Sequence, residues 1–434
     1  MQPVCGRSDG SLEILGGVLA LARSGNRLVR PTLAEAVPIP DGATLMHLPG
    51  RRALVAERHG DPFEVPSDLF PVAAVLPVGY LRTLLPASSP AAGTTRLPLF
   101  GYAAVVEHNG TLMVAAMRTD TFGWWEPGGF NPDDVASAVE RALTALPGNR
   151  LVEHLSVCAL QLRCFTAQNT FLQRYEAALP ASPACNADCL GCISLQSDGQ
   201  APAPQPRMRF APTARELVDV ASHHLDGADA AIVSFGQGCE GEPLTRDAVL
   251  ADATREIRRR HPRATIHVNT NGSNPESLRR LVDAGCNSVR ISAISFSDNA
   301  FRAYYRPVGY TLDDVVGCGR MMHDAGGQVC LNLLTFPGLT DAPDEMERTV
   351  RACRDMGVHQ VQWRSLNVDH DWLIEVLQRR GVDLSTGIGL RAAHERMRAA
   401  LPDVSHGNFT RPWPASPDPP GIGRSRRVVS SITP

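Results

Sequence analysis

No uninterrupted apolar run in the 434 residues reaches the roughly 18 to 20 that a membrane helix needs. The longest candidate, LFPVAAVLPVGYL from Leu69, is broken by Pro71 and Pro77, so the sequence predicts no span of a bilayer. A strong charge of either sign is also absent. With 42 basic and 45 acidic side chains the net charge is −3, which provides no global field to recruit nucleic acid or an anionic membrane and leaves room only for a local basic patch. Nor is there a disulfide framework to expect, because eleven cysteines in a chain of this size is an odd number without a clear export signal. LEILGGVLALA has Glu13 inside it and only Arg7 ahead of it, so it reads as a short helix and not as the apolar part of a signal peptide. A reducing compartment, the cytoplasm, is the expectation.

What the chain does have is enough apolar sequence, 43% against 20% charged, to bury a sizeable core divided into two or three domains. Residues 1–170 read as a mixed α+β accessory domain, with one hairpin in LFGYAAVVEHNGTLMVAAMRTD where Asn109-Gly110 sits between two β-rich runs. After the Pro-rich connector SDGQAPAPQPRMRF, strand-like and helix-like segments alternate: AAIVSF, TIHVNT, SVRISA, QVCLNLLTF and HQVQW are each followed by a helical pattern. With a first strand near RYEAALP, these make six βα units of a size that suits right-handed crossovers, which implies an all-parallel sheet. Six units fall short of a closed eight-unit barrel. The expected fold is therefore α/β, a partial (β/α)6 TIM-like barrel over 171–401 with its site at the C-terminal ends of the strands. Residues 402–434, rich in Pro, Ser and Arg, are expected to form a disordered tail.

Chemistry concentrates in CNADCLGC, Cys185 to Cys192, while the other eight cysteines lie scattered singly. A structural zinc site would want a fourth ligand, and the next 40 residues offer only His223 and His224. A soft metal centre held by three thiolates keeps one coordination position open for something that is not protein. Cys286, Cys318 and Cys353 read as small buried hydrophobes, as do Cys5, Cys158 and Cys164, which are too dispersed to suggest a second cluster. The strand ends carry further polar groups. GQGCEGEPL offers Glu242 fixed by Pro243, a carboxylate able to pair with an ammonium group, and NTNGS offers Asn269, Thr270, Asn271 and Ser273 as hydrogen-bonding groups.

Over roughly Arg174 to Asp371 these motifs resemble the radical S-adenosylmethionine enzyme superfamily. The resemblance implies that Cys185, Cys189 and Cys192 bind three irons of a 4Fe-4S cluster and that S-adenosylmethionine chelates the fourth. It implies reductive cleavage of that cofactor to a 5′-deoxyadenosyl radical that abstracts hydrogen. Gly241, Glu242 and Pro243 resemble the family's GGEP element, which receives the methionine ammonium. Ser292 matches the polar position for the methionine carboxylate or ribose, Asn332 and Leu334 fall where the fifth strand lines the adenosine, and Asn367 lies where the sixth flanks the adenine, near Trp363 and Leu366. Asn269 and Asn271 belong to the same cofactor-facing set. Many members have an aromatic residue just before the last cysteine; here it is Gly191, so adenine packing must come from elsewhere. The longer GQGCEGEP loop makes Cys239 a candidate radical partner or acid/base thiol, and Arg306 in FRAYYRPVGY a candidate for binding a substrate carboxylate. The implied partners are an electron donor such as flavodoxin or ferredoxin and a substrate, small molecule or peptide, that the sequence does not specify. The alternative is a non-catalytic iron-sulfur or zinc protein of structural or sensory use. That reading predicts a fourth protein ligand, which the sequence near the triplet does not supply.

Overall fold

Asn109 and Gly110 both adopt positive φ, 50° and 79°, the combination that a two-residue type I′ hairpin requires. They join the strands Tyr102–His108 and Thr111–Val114, which pair antiparallel with His108 opposite Thr111. The computed structural model describes residues 1–121, 125, 127–199, 201–228, 231–237 and 240–414. The hairpin lies in a seven-stranded sheet with Gln2–Gly6 and Phe70–Val75 near its centre. The segment expected to be a short helix instead forms two strands, Leu12–Ile14 and Leu19–Ala20. Gly16 and Gly17 interrupt it, and Gly17 turns at φ 80°, which a helix interior does not accommodate.

Three helices follow: α1 (Pro132–Ala145), α2 (Arg150–Leu160) and α3 (Phe165–Phe171). Asn131 and Asn149 cap the first two through their side-chain oxygens. The last of them ends at Phe171, beside the expected boundary of 170, and contacts cross that point. Thr170 accepts a hydrogen bond from the Ala178 amide at 2.8 Å, Asn149 donates to the Glu216 carbonyl, and one apolar core runs from Val135, Leu151 and Leu155 into the barrel.

The barrel sheet runs in chain order, every neighbour parallel: β1 (Glu176–Leu179), β2 (Ile232–Phe235), β3 (Thr265–Thr270), β4 (Ser288–Ala293), β5 (Gln328–Thr335), β6 (Gln360–Ser365) and β7 (Ser405–Gly407). β1, β2 and β3 are buried along their whole length, as expected of a parallel sheet covered on both faces. The covering helices are α4 (Ala214–Leu225), α5 (Asp247–Arg260), α6 (Pro275–Asp283), α7 (Asp298–Tyr305), α8 (Leu312–Asp324), α9 (Pro343–Asp355), α10 (His370–Arg379) and α11 (Leu390–Ala400). The six expected βα units are present in an open α/β barrel. A seventh strand follows them, so the expectation of a structureless tail from 402 is corrected over 402–414. There Asn408 donates to the Trp363 carbonyl at 2.7 Å, Phe409 stacks on Trp125, and the Trp413 amide donates to Thr265. Residues 415–434 lie outside the described residues.

The N-terminal strands dock on the β5 and β6 side of the barrel through buried cations. The Arg82 side chain is fully buried and donates to the carbonyls of Tyr102, Thr335 and Leu366 at 3.3 to 3.4 Å. Arg51 pairs with Asp369 at 2.5 Å and with Asp371 at 3.0 Å. Among the described residues, no helix is long and apolar enough to cross a membrane.

Candidate functional site

The loop that carries the cysteines leaves β1 and is held from two sides. On one side Glu240 accepts from the amides of Ala181 and Ser182, both at 2.8 Å, while the Gly241 and Glu242 amides donate to the carbonyls of Ser182 and Ala184. A β-carbon at Gly241 would land on the Ala184 carbonyl, so this backbone pairing requires glycine. On the other side the end of α7 accepts the loop, with Asp188 donating to Tyr305 and Leu190 donating to Tyr304, both at 3.0 Å. These are carbonyls that a helix C-terminus leaves unpaired.

Held this way, Cys185, Cys189 and Cys192 are half-buried and line one cavity of about 390 Å³ at the C-terminal ends of the strands. Burial and then the neighbouring Glu242 push the Cys185 thiol up to about 11, and burial with the other two cysteines raises Cys189. Arg207 donates to the Cys192 sulfur at 3.3 Å.

Glu242 forms the facing wall. Its Oε1 accepts from the Thr270 hydroxyl at 2.6 Å and the Leu244 amide at 3.0 Å, and its Oε2 accepts from the Asn271 amide at 2.8 Å. Burial lifts the carboxyl to about 7 against these hydrogen bonds. Pro243 behind it starts a short 3-10 turn that fixes the backbone and does not itself face the cavity.

Of the other residues singled out in the sequence, Asn269, Asn271, Ser292, Asn332, Leu334 and Asn367 all line this cavity. Asn332 donates to Ser292 at 2.9 Å and leaves its own buried carbonyl oxygen unpartnered, as does Asn269. Arg306 is not brought in. It terminates α7 in the left-handed region, and its side chain pairs with Asp188 on the exposed loop at 2.7 Å, away from the residues that line the cavity. Cys239 lies outside the described residues.

Sequence reasoning passed over Arg207, Tyr304, Arg290 and Arg364, all of which line the cavity. The two strand arginines left a signal. A cation inside SVRISA or QVQWRS interrupts a buried strand, and Arg290 has the same inward phase as Ser292 two residues on.

Three cysteine thiols, soft ligands once deprotonated on a metal, line the cavity, and among the described residues no other cysteine and no histidine does. Nor do three His, Cys, Asp or Glu side chains converge there on a single ion. This donor set suits a multi-iron cluster, in which each cysteine binds its own iron and one iron is left for another ligand. Residues 179–359 match the family model of the Radical SAM superfamily. The chain carries a radical SAM domain. The 4Fe-4S cluster and S-adenosylmethionine are the cofactors, and radical enzymology the activity, that this match over residues 179–359 implies. Among solved structures similar to this chain is methylornithine synthase, 13% identical with a TM-score of 0.38, covering 64% of this chain and 75% of that one. Another is SuiB of Streptococcus suis bound to S-adenosylmethionine, 14% identical with a TM-score of 0.37, covering 66% and 64%. A third is the FeFe-hydrogenase maturase HydG of Carboxydothermus hydrogenoformans, 14% identical with a TM-score of 0.34, covering 64% and 70%. No curated protein matches the chain.

Proposed function

We propose that this enzyme binds its cluster through Cys185, Cys189 and Cys192, that Glu242 receives the ammonium of S-adenosylmethionine, and that the substrate enters the barrel beneath the cofactor. The observation that carries this reading is the backbone pairing of Gly241 and Glu242 with Ser182 and Ala184, which fixes the carboxylate beside the cysteine loop. When bound, the cluster and cofactor supply reductive carbon-sulfur cleavage and a radical able to abstract hydrogen from carbon.

The chain's own residues prepare the space. Glu242 is the charge complement for an ammonium, and Thr270, Leu244 and Asn271 orient it. The unpartnered carbonyl oxygens of Asn332 and Asn269 are acceptors for cofactor hydroxyl or amino groups. Tyr304, Tyr305 and Tyr310 are buried against the cysteine loop and keep water from that side.

The N-terminal strands take the role of a cover. Gly101 packs on Ser365 and Asn367 at the cavity rim, and the Val368 amide donates to the Phe100 carbonyl. We place the division between cover and catalytic domain near residue 131, so that α1–α3 belong to the barrel. The electron would come from a flavodoxin- or ferredoxin-type donor, in a reducing cytoplasm that suits the free cysteines. Methyl transfer, oxidation, epimerisation and carbon-carbon bond formation all begin with the same radical.

The test is anaerobic reconstitution of single Cys→Ala variants with iron and sulfide. Each of the three should lose the visible iron-sulfur absorbance. A full cluster in Cys189→Ala would sink the ligand assignment.

A further inference from the structure

Two guanidinium groups meet inside the barrel with no carboxylate in contact among the described residues. Arg290 on β4 donates to Gln362 Oε1 at 3.1 Å and to the Thr410 hydroxyl at 3.1 Å. Arg364 on β6 donates to the same Gln362 oxygen at 3.4 Å and to the Asn408 carbonyl at 2.6 Å. All of these partners are neutral. Arg290 is 8% exposed, and its Nε is buried with no partner at all. Burial, and next the charge of Arg290, lowers Arg364 to about 9.

The acids nearby do not neutralise the pair. Asp120 is engaged by Arg411 at 3.1 Å. Glu176 on β1 accepts from the Ser234 hydroxyl and the Gln237 amide at 2.7 and 2.5 Å and makes no ion pair with either arginine. Among the described residues, counting Arg290 and Arg364 against Glu176, with Asp120 taken by Arg411, leaves one positive charge uncompensated. A buried, unpaired cation is costly to maintain unless something anionic arrives to meet it.

S-adenosylmethionine does not fill this role if Glu242 holds its ammonium. The cofactor's carboxylate is borne by the same carbon as that ammonium, which keeps it near β2 and the cysteine loop. Arg290 and Arg364 converge at Gln362, Asn408 and Thr410, beside β6 and β7, and Arg290 lies two residues before Ser292 on β4, deeper in the barrel than the strand ends that face the cysteine loop. An inorganic phosphate dianion would overshoot the charge, whereas a carboxylate carries one negative charge and matches a guanidinium fork. We infer that Arg290 and Arg364 bind a carboxylate group of the enzyme's substrate, which makes that substrate a carboxylic acid. This inference rests on the radical SAM reading of the same cavity.

The probe is acetate, observed by saturation-transfer NMR on the oxidised, cluster-loaded protein with S-adenosylmethionine present, and acetamide is the neutral control. Acetate should receive saturation and acetamide should not. In Arg290→Gln and Arg364→Gln the acetate affinity should fall at least about tenfold, the scale of one lost hydrogen bond to a charged group. Should either Gln variant fail to fold, the Lys variants, which keep the charge and lose the fork, should show a smaller but measurable loss. Equal acetate saturation in wild type and folded variants overturns the inference, as does displacement of acetate by inorganic phosphate at a much lower concentration. Equilibrium dialysis with S-adenosylmethionine separates the remaining case. A tenfold loss of cofactor affinity with acetate binding intact would assign the arginines to the cofactor and overturn the proposal. A wild-type protein that binds acetate but never cleaves S-adenosylmethionine would overturn the radical reading instead, while supporting the anion site.

Discussion

Gly191 and Tyr304 share the space beside the last cysteine: a β-carbon at Gly191 would lie 2.6 Å from the Tyr304 hydroxyl oxygen and 2.5 Å from the Asn367 carbonyl oxygen. The aromatic group at this place comes from α7 and not from the cysteine loop, so the loop can carry no side chain there. Gly191→Ala should therefore cost about 1–3 kcal/mol of stability through overpacking, and iron incorporation should fall with it. Removing the tyrosine as well should not restore either, because the Asn367 oxygen is backbone. Denaturant titration and iron analysis of Gly191→Ala and of the double variant with Tyr304→Ala check this. A fully stable, fully loaded single variant would contradict the packing account.

Glu242→Gln keeps the size of the side chain and removes the charge. Cofactor affinity should fall about tenfold or more, since hydrogen bonds to charged groups are worth about 1.5–3 kcal/mol, while iron content stays at the wild-type level. Equilibrium binding of S-adenosylmethionine to both proteins decides the point. Equal affinities would take Glu242 out of the cofactor site.

The neighbouring carboxyl predicts a pH dependence. Burial lifts Glu240 from 4.5 to about 8, the amides of Ala181 and Ser182 lower it only in part, and the neighbouring Glu242 charge raises it further. Between those values the native protein keeps a proton that the unfolded chain has released, so this contribution to stability is complete below the ordinary carboxylate pKa and is lost as pH rises through about 8. Buried histidines such as His224, lowered to about 4 by burial, act in the opposite sense, but only below their ordinary pKa of 6.5. From about pH 6.5 to 8, Glu240→Gln should therefore lose less stability than the wild type, by roughly 1–2 kcal/mol. Parallel denaturation curves across that window would show that Glu240 titrates normally.

The cover should depend on its buried ion pair. Arg51 and Asp369 are each 2% exposed, and Asp369 also accepts from the Leu97 amide at 2.7 Å while capping α10. Arg51→Ala strands a buried carboxylate and should destabilise the protein by about 3–5 kcal/mol. Limited proteolysis should then cut the N-terminal strands first. A loss below about 1 kcal/mol, the range of exposed pairs, would mean that the contact does not hold the cover.

The barrel was legible in the sequence because each strand is a short run of branched and apolar residues between helical repeats, from TIHVNT to QVQWRS. The Asn109-Gly110 turn was legible for the same local reason. The cysteine triplet and GEP were legible because their residues are close in sequence. What was hidden depends on contacts between distant segments. Tyr304 reaches Gly191 from more than a hundred residues away, and Arg82 is buried only because the ends of β5 and β6 offer it carbonyls. Composition misled at 402–414, where Asn408 and Trp413 gain their hydrogen bonds from β6 and β3. The ion pair of Arg306 with Asp188 was not legible either, because a position after α7 gives no indication of where the side chain turns.

The central claim is that the three-cysteine loop and Glu242 form one cofactor-cleaving site. Its most direct test is to reconstitute the intact chain anaerobically, add dithionite and S-adenosylmethionine, and quantify 5′-deoxyadenosine by chromatography. The account predicts its formation by the wild type, none from Cys185→Ala, Cys189→Ala or Cys192→Ala, and a reduced yield at limiting cofactor from Glu242→Gln. A wild-type protein with a complete, reducible 4Fe-4S cluster that leaves S-adenosylmethionine intact would contradict it.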